Sequence, residues 1–106
     1  MTDLVVAVAE PRRRRLLQLL GRGEQTVTQL AGNFTVSRSA ISQHLGVLKE
    51  AGLVSERREG TRRFYRARPE GLKELREFLE GFWTFSLAQL KREAERDERK
   101  KRASRN

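Results

Sequence analysis

Residues 37–51 have the pattern of a helix with one apolar side and one uncharged polar side. On a wheel of 100° per residue, Ile41, Leu45 and Leu48 fall in one narrow sector, which predicts the buried side. The opposite sector holds Ser39, Ser42, Gln43 and Gly46. Hydroxyl and carboxamide groups can exchange hydrogen bonds with base edges in the major groove of DNA, and a glycine permits close approach. The alternative is a polar face that contacts only water, and the adjacent basic residues favour DNA.

The start of this helix supplies a cap and a cation. Ser37 precedes the first helical turn and fits an N-cap, where a side-chain oxygen accepts a hydrogen bond from a free backbone N–H. Arg38 follows at the helix start, where bases and phosphates are both within reach of a helix in the major groove. The candidate DNA-binding residues of the helix are therefore Ser37, Arg38, Ser39, Ser42, Gln43 and Gly46.

A basic hairpin is predicted directly after this helix. Residues 53–68 alternate in polarity and are interrupted at Glu59-Gly60, which is a turn signal. The flanks contain six arginines: Arg57, Arg58, Arg62, Arg63, Arg66 and Arg68. Because alternation divides them between two faces, we expect only those nearest the tip, Arg62 and Arg63, to contact the minor groove or flanking phosphates.

The aromatic pair Phe64 and Tyr65 in this hairpin has two interpretations. The rings could stack on bases, or they could pack against the preceding helix. The hairpin needs an apolar face against that helix, so we expect both rings to pack.

The residues that would support catalysis or metal binding are scarce. The chain has no cysteine, which excludes a disulfide, a thiolate zinc site and a cysteine nucleophile. His44 is the only histidine and has no evident partners for a metal site or a catalytic triad, so a packing or phosphate-contacting role is expected. No carboxylates cluster in an apolar setting. We expect neither an enzyme nor a cofactor.

The length and the net charge of the chain limit the number of domains and the classes of partner that it could have. The 106 residues suffice for one domain, and the formal net charge of +9 attracts polyanions. Nucleic acid is the first candidate partner and an anionic membrane surface the second. No apolar run is long enough to span a membrane, and the N-terminal apolar stretch precedes its arginines, the reverse of a secretory signal. A soluble cytoplasmic protein is expected.

The segment before residue 37 predicts three helices. A short apolar run covers Leu4 to Ala9, and Pro11 suits the first turn of the next helix. The second helix has an apolar stripe and ends at glycines: Leu16, Leu17 and Leu20, then Gly21 and Gly23. Thr26 or Thr28 can cap a third, short helix with Leu30 and Ala31 facing inward, followed by a tight connection at residues 33–36.

This order predicts a mainly α fold with a small β-hairpin. A short helix, a tight turn and a longer helix form a helix-turn-helix unit, and a basic two-stranded hairpin after it forms a wing. The expected architecture is a winged helix-turn-helix with helices flanking the wing.

The arginine run at residues 12–15 remains ambiguous. Four consecutive helical residues point in four directions, so at most two can share one side. A solvated first turn with one arginine in an ion pair is at least as well supported as DNA contact.

A long helix from about Glu70 carries an apolar surface wider than one domain needs. One stripe holds Leu72, Leu75, Leu79, Trp83 and Leu90, and Phe78, Phe82 and Phe85 widen it. A second subunit could cover this surface; a ligand pocket or an ordinary core are the alternatives. The expected dimer contacts are Leu4, Val5, Val8, Phe78, Phe82, Trp83 and Phe85. We place a DNA-binding and dimerisation domain at residues 1–90 and a charged, frayed tail at residues 91–106.

The segment TVSRSAISQHLGVLKEAGLVSERREGTRRFYR, near residues 35–66, carries a family resemblance. It is similar to the signature of the ArsR-type winged helix-turn-helix repressors: a serine-rich helix start, an S-x-H-L-x-x-L core, a GLV exit and a G-x-x-x-x-Y hairpin. The matching residues are Ser42, His44, Leu45, Leu48, Gly52, Leu53, Val54, Gly60 and Tyr65. The opening AEPRRRRLLQLL also resembles that family, and the likeness covers roughly residues 4–90.

The chain departs from the metal-sensing members of that family. Those members carry a cysteine pair in the first helix of the motif, or Asp and His ligands on the last helix. Here the first position reads TVTQLAGNF, and the last helix contains no histidine. The resemblance therefore implies the fold, dimerisation and operator binding, but not metal sensing.

Three classes of function remain to be compared. The first is a repressor whose homodimer reads an inverted repeat in double-stranded DNA and blocks polymerase, with release by an unknown inducer or partner protein. The second is a general RNA- or nucleoid-binding protein with little sequence preference. The third is an interaction module that uses the C-terminal aromatic surface. Titration against random and promoter DNA separates them.

Overall fold

Two short helices begin the chain in the computed structural model, which describes residues 3–104 and the side chains of residues 3–101. Helix α1 spans Leu4–Ala9 and is capped by Asp3, whose carboxylate accepts a hydrogen bond from the Val5 N–H at 2.9 Å. Helix α2 spans Pro11–Leu20. The expected stripe on α2 is corrected at one position, because Leu19 is buried with Leu16 and Leu20 while Leu17 is only half-buried.

A short strand and two helices follow. Strand β1 covers Gln25–Thr26, and helix α3 covers Val27–Ala31. Thr26, one of the two predicted caps, forms a capping box with Gln29. Leu30 is fully buried as expected, whereas Ala31 is half-buried.

Helix α4 spans Arg38–Glu50 and has the predicted cap and the predicted core face. The Ser37 hydroxyl oxygen accepts from the Ala40 N–H at 3.1 Å. Ile41, Leu45 and Leu48 are completely buried. The buried side predicted for this helix is therefore confirmed.

The hairpin consists of β2 (Val54–Glu59) and β3 (Arg62–Ala67), with Gly60 in the left-handed region at φ 63°. Strand β1 pairs antiparallel with β3, opposing Gln25 to Tyr65, so the sheet order is β1-β3-β2. The predicted two-stranded hairpin is therefore present, and β1 adds a third strand to its sheet that the sequence analysis did not predict. A two-residue strand is too short to show an alternating pattern in the sequence.

The structure groups residues up to Glu74 in one unit and residues from Leu75 on in another. Apolar side chains of α2, α3 and α4 form the core of the first unit together with Leu53, Val54 and Tyr65. Mostly helical content with a small antiparallel sheet confirms the predicted fold class.

Helix α5 spans Pro69–Ser104 and has a close backbone contact at its start. A Cβ added at Gly71 would collide with the carbonyl oxygen of Gly52, so this approach requires a glycine. The helix continues without a break through the charged residues 91–104, and the side chains of residues 91–101 are exposed. The domain boundary at residue 90 and the fraying of the tail stay predictions.

Candidate nucleic-acid interface

A concave surface brings together the starts of two helices and the tip of the hairpin. This cleft has a volume of about 620 Å³ and is lined by Thr26, Val27, Thr28, Gln29, Arg38, Ser42, Thr61, Arg62 and Arg63. Four of the residues predicted from the sequence, Arg38, Ser42, Arg62 and Arg63, therefore meet at one place. The cleft offers hydroxyl, amide and guanidinium donors, which are the groups that bind phosphate oxygens and base edges.

The polar face of α4 is open to solvent. Ser39 and Gln43 are exposed, and Ser42 and Gly46 are partly exposed. A Cβ added at Gly46 would have no atom within 4 Å, so nothing in the described chain covers the helix there. The hydroxyl oxygen of Ser37 already accepts a bond as the helix cap, which leaves its proton available to a ligand.

The hairpin register separates the two predicted tip arginines. Arg58 lies opposite Arg63, and Glu59 lies opposite Arg62. Because side chains alternate along a strand, Arg62 and Arg63 project to opposite faces of the wing although both line the cleft.

The same register corrects the expectation for the aromatic pair. Tyr65 is only 4% exposed and belongs to the core. Phe64 projects to the other face, is half-buried, and lies beneath the guanidinium of Arg57, whose carbon is 4.5 Å from the ring centroid. Only Tyr65 packs inside, since neighbouring residues in a strand cannot share a face.

Arg57 anchors the wing to the chain before β1. Its guanidinium donates to both Glu24 carboxylate oxygens, at 2.5 and 3.4 Å, and to Glu59 at 2.8 Å. The hydrogen bond from Arg57 holds the pKa of Glu24 below its ordinary value, and these bonds raise the pKa of Arg57. The guanidinium of Arg57 is therefore engaged in contacts within the chain.

Glu56 stands at the centre of a cluster of cations. One carboxylate oxygen accepts from Lys49 of α4 at 3.2 Å and from the Tyr65 hydroxyl at 3.4 Å. The other accepts from Arg58 at 3.2 Å and lies 3.9 Å from Arg63. The bond from Lys49 is the main cause that lowers the pKa of Glu56; burial opposes it, and Arg58 adds to it. Burial, followed by the Glu56 charge, raises the pKa of Tyr65.

Most of the arginine run serves the N-terminal helices. Arg13 donates to the carbonyl oxygens of Ala7 and Val6 at 2.6 and 3.0 Å, and Arg14 donates to those of Val8 and Ala9. These bonds satisfy carbonyls at the end of α1. Arg12 forms an exposed ion pair with Glu10 at 3.3 Å, while the Arg15 side chain is exposed.

His44 takes part in the same structural cluster. Its Nδ1 accepts from an Arg13 guanidinium nitrogen 3.3 Å away, and its Nε2 lies 3.9 Å from a Glu10 carboxylate oxygen. The His44 side chain is 20% exposed. Of the two roles predicted for His44, packing and phosphate contact, these contacts within the chain fit packing.

Two sets of apolar side chains are exposed, one in each unit. In α1, Val5 is 42% and Val6 is 55% exposed, and the predicted contacts Leu4 and Val8 are partly exposed. In α5 the large exposed side chains are Phe78, Leu79, Phe82, Trp83, Phe85, Leu87 and Leu90. Leu75, predicted on the same stripe, is buried.

The sequence reasoning missed several surface residues. Thr28, Gln29 and Thr61 line the cleft, and Val6 and Leu87 are exposed apolar residues. Thr28 and Gln29 could have been found from their position, because they are polar side chains close to the predicted cap Thr26 at the start of α3. Thr61 adjoins Gly60 at the predicted tip and could have been included on that ground.

Among the described residues, no group of three or more His, Cys, Asp or Glu side chains is arranged to hold a metal ion. The helices within residues 3–104 include none with the length and apolarity required to cross a membrane.

Comparison with known proteins gives concordant matches. Residues 10–56 match the model of the bacterial regulatory protein, arsR family. The chain is 48% identical over 81 residues to the HTH-type transcriptional regulator Rv2034 of Mycobacterium tuberculosis, covering 76% of each chain. It is 37% identical to the transcriptional repressor SdpR of Bacillus subtilis, over 61% of this chain and 72% of the repressor.

A solved structure gives the same answer for the fold. The crystal structure of a possible transcriptional regulator for arsenical resistance superposes with a TM-score of 0.76 at 57% identity, covering 78% of this chain and 86% of that one. These matches confirm the winged helix-turn-helix architecture, and the proteins matched are regulators of transcription, not enzymes.

Proposed function

The chain belongs to the ArsR family of DNA-binding transcription regulators, and on this premise we propose that it is a repressor that binds an inverted-repeat operator as a homodimer. The observation that carries the proposal is the cleft where Arg38 and Ser42 of α4 meet Arg62 and Arg63 of the wing. A helix face for bases beside cations for phosphates is the arrangement that sequence-specific binding needs.

Base recognition is assigned to the open face of α4. Gln43 presents a carboxamide, which can pair in a bidentate manner with adenine, and Ser39 and Ser42 present hydroxyls. The uncovered surface at Gly46 permits close approach of the duplex. Arg38, Arg62 and Arg63 are assigned to phosphates or the minor groove.

The dimer is supported by the exposed apolar side chains. Phe78, Phe82, Trp83 and Phe85 are 49–60% exposed in the single chain. Soluble proteins seldom leave a contiguous apolar patch of this kind without a partner, and a two-fold arrangement would cover it with the same patch of a second copy. Leu4, Val5 and Val8 of α1 are proposed as further contacts with the second copy.

Repression would follow from occupancy. Two recognition helices of a symmetric dimer read half-sites about one helical turn apart, so the bound dimer would block polymerase at an overlapping promoter. An inducer or partner protein that favours another dimer geometry would release it. A protein with this role would act at the chromosome, which in a bacterium lies in the cytoplasm.

No metal response is proposed. Arsenite binds through thiolates and the chain has no cysteine, so the name of the arsenical-resistance relative does not extend to this protein. The described residues also hold no cluster of His, Asp and Glu ligands that could take zinc.

Selection of bound duplexes from a randomised library, followed by titration of the selected duplex, tests this function. We expect enrichment of an inverted repeat, a Kd on the order of 10 nM at physiological salt, and a steep loss of affinity as salt rises. The absence of enrichment would favour general nucleic-acid binding. An affinity that does not change with salt would refute the proposed contacts.

Variants separate the two kinds of contact. Arg62→Ala with Arg63→Ala should weaken binding to every duplex to a similar extent, and Gln43→Ala should relax preference at particular base pairs by about 1–3 kcal/mol. Arg66→Ala is the matched control, because Arg66 lies on the same strand but outside the cleft and donates to Ser55. A Gln43→Ala protein with unchanged preference would remove α4 from base recognition.

A further inference from the structure

Glu56 contacts more side chains than the other acidic residues of the wing. Its carboxylate is 13% exposed and is within 4 Å of charged groups from three elements: Lys49 at the end of α4, Arg58 on β2 and Arg63 on β3. The Tyr65 hydroxyl, anchored in the core, donates to the same carboxylate. One anion thus connects the predicted recognition helix to both strands of the wing.

The cluster would lose its order without this anion. Arg58 and Arg63 lie directly opposite each other, and like charges in such a cross-strand pair repel. Glu56 offsets that repulsion and leaves the four charged groups with a net charge of +2. The carboxylate also occupies hydrogen-bond donors that would otherwise be available to a phosphate.

We propose that Glu56 is a positioning residue that restrains Lys49, Arg58 and Arg63, and thereby limits binding to DNA of arbitrary sequence. The proposal rests on the DNA-binding function proposed above. An internal carboxylate and a phosphate compete for the same guanidinium groups. Binding to random duplex is almost wholly electrostatic, whereas operator binding also needs base contacts and a wing held in a fixed geometry.

Glu56→Gln tests this, because it keeps the shape of the side chain and removes its charge. We expect affinity for random duplex to rise about tenfold at 0.15 M salt and the plot of log K against log salt to steepen by about 1–2. The ratio of operator affinity to random-duplex affinity should fall. Far-UV circular dichroism and thermal unfolding check that the variant is folded.

Glu59→Gln is the matched control. Glu59 is on the same strand, lies nearer the tip, projects to the opposite face, and pairs with Arg57. If the loss of one negative charge were the whole cause of the rise in random-duplex affinity, Glu56→Gln and Glu59→Gln would bind random duplex equally well. The proposal requires Glu59→Gln to change that affinity less than twofold. Glu56→Asp, which keeps the charge, should also stay within about twofold of the wild type.

Three results would overturn the proposal: equal effects of Glu56→Gln and Glu59→Gln, weaker random-duplex binding by Glu56→Gln, or an effect of Glu56→Asp as large as that of Glu56→Gln. A wild-type protein that binds no duplex would refute both this inference and the proposed function. Salt-dependent wild-type binding together with any of the three results would refute this inference alone.

A measurement on the wild-type protein keeps the test decisive if Glu56→Gln does not fold. Arg58 donates through Nε to Glu56, so its Nε–H should exchange with water more slowly than that of exposed Arg62 in the free protein. Addition of random duplex should shift the Arg58 Nε–H resonance. Equal exchange rates for the two arginines in the free protein would contradict the restraint.

Discussion

In residues 3–74 most large apolar side chains point inward, whereas from Leu75 on most of them are exposed. Leu16, Leu30 and Leu45 have no exposed surface, but Phe82 and Trp83 are 54% and 59% exposed. The difference shows which part of the chain buries its large apolar side chains within itself. The first unit forms its own core, whereas the large apolar side chains of α5 are exposed, and the proposed second copy of the chain would cover them.

The largest expected effect tests that cover directly. Phe85→Glu places a charge in the proposed interface and should give a folded monomer whose operator affinity falls by at least about 100-fold, since one half-site is lost, while random-duplex affinity falls much less. Thr84→Glu adds the same charge at the neighbouring exposed position and is the control. Sedimentation, circular dichroism and DNA titration provide the readouts. Loss of helical signal instead of a folded monomer would mean that the aromatic side chains form an internal core.

The second expected effect contrasts a core residue with an exposed one. Leu45→Ala should lower the free energy of unfolding by about 2–5 kcal/mol at every protein concentration, because it leaves a cavity in the first unit. Phe82→Ala should instead lower the thermal midpoint mainly where the wild type is dimeric, so that the dependence of the midpoint on concentration becomes weaker. Calorimetry over a range of concentrations measures both. Identical behaviour of the two variants would remove the distinction between the two regions.

The smallest expected effect concerns metals. Zinc, cadmium or arsenite should change operator affinity by less than about twofold, because the chain has no thiolate and the described residues have no cluster of metal ligands. Anisotropy titrations with and without each ion check this. Calorimetric detection of a stoichiometric zinc site coupled to release of DNA would contradict this prediction.

Features that depend on neighbouring residues along the chain were predictable. The N-cap at Ser37, the buried triad Ile41, Leu45 and Leu48, and the turn at Gly60 all follow from local signals, and the structure has each of them. The cap and the core face of α4 and the turn of the hairpin could therefore be placed from capping, periodicity and turn signals.

Features that depend on strand register and on contacts between residues far apart in the sequence could not be predicted from the sequence. The pairing of Gln25 with Tyr65 joins residues far apart in sequence, and no pattern in two residues reveals it. Strand alternation alone predicts that Arg62 and Arg63 project to opposite faces. Only the strand register shows which of the two shares a face with Glu56. The contribution of Thr28 and Gln29 to the cleft depended on where α3 lies beside the wing.

Sedimentation equilibrium of the wild-type protein at micromolar concentration, with and without the selected inverted repeat, tests the central claim most directly. We predict a free species of twice the 12.3 kDa chain mass and a complex of two chains on one inverted repeat. A free monomer that also binds the repeat as a single chain would contradict the dimer and the operator mechanism built on it.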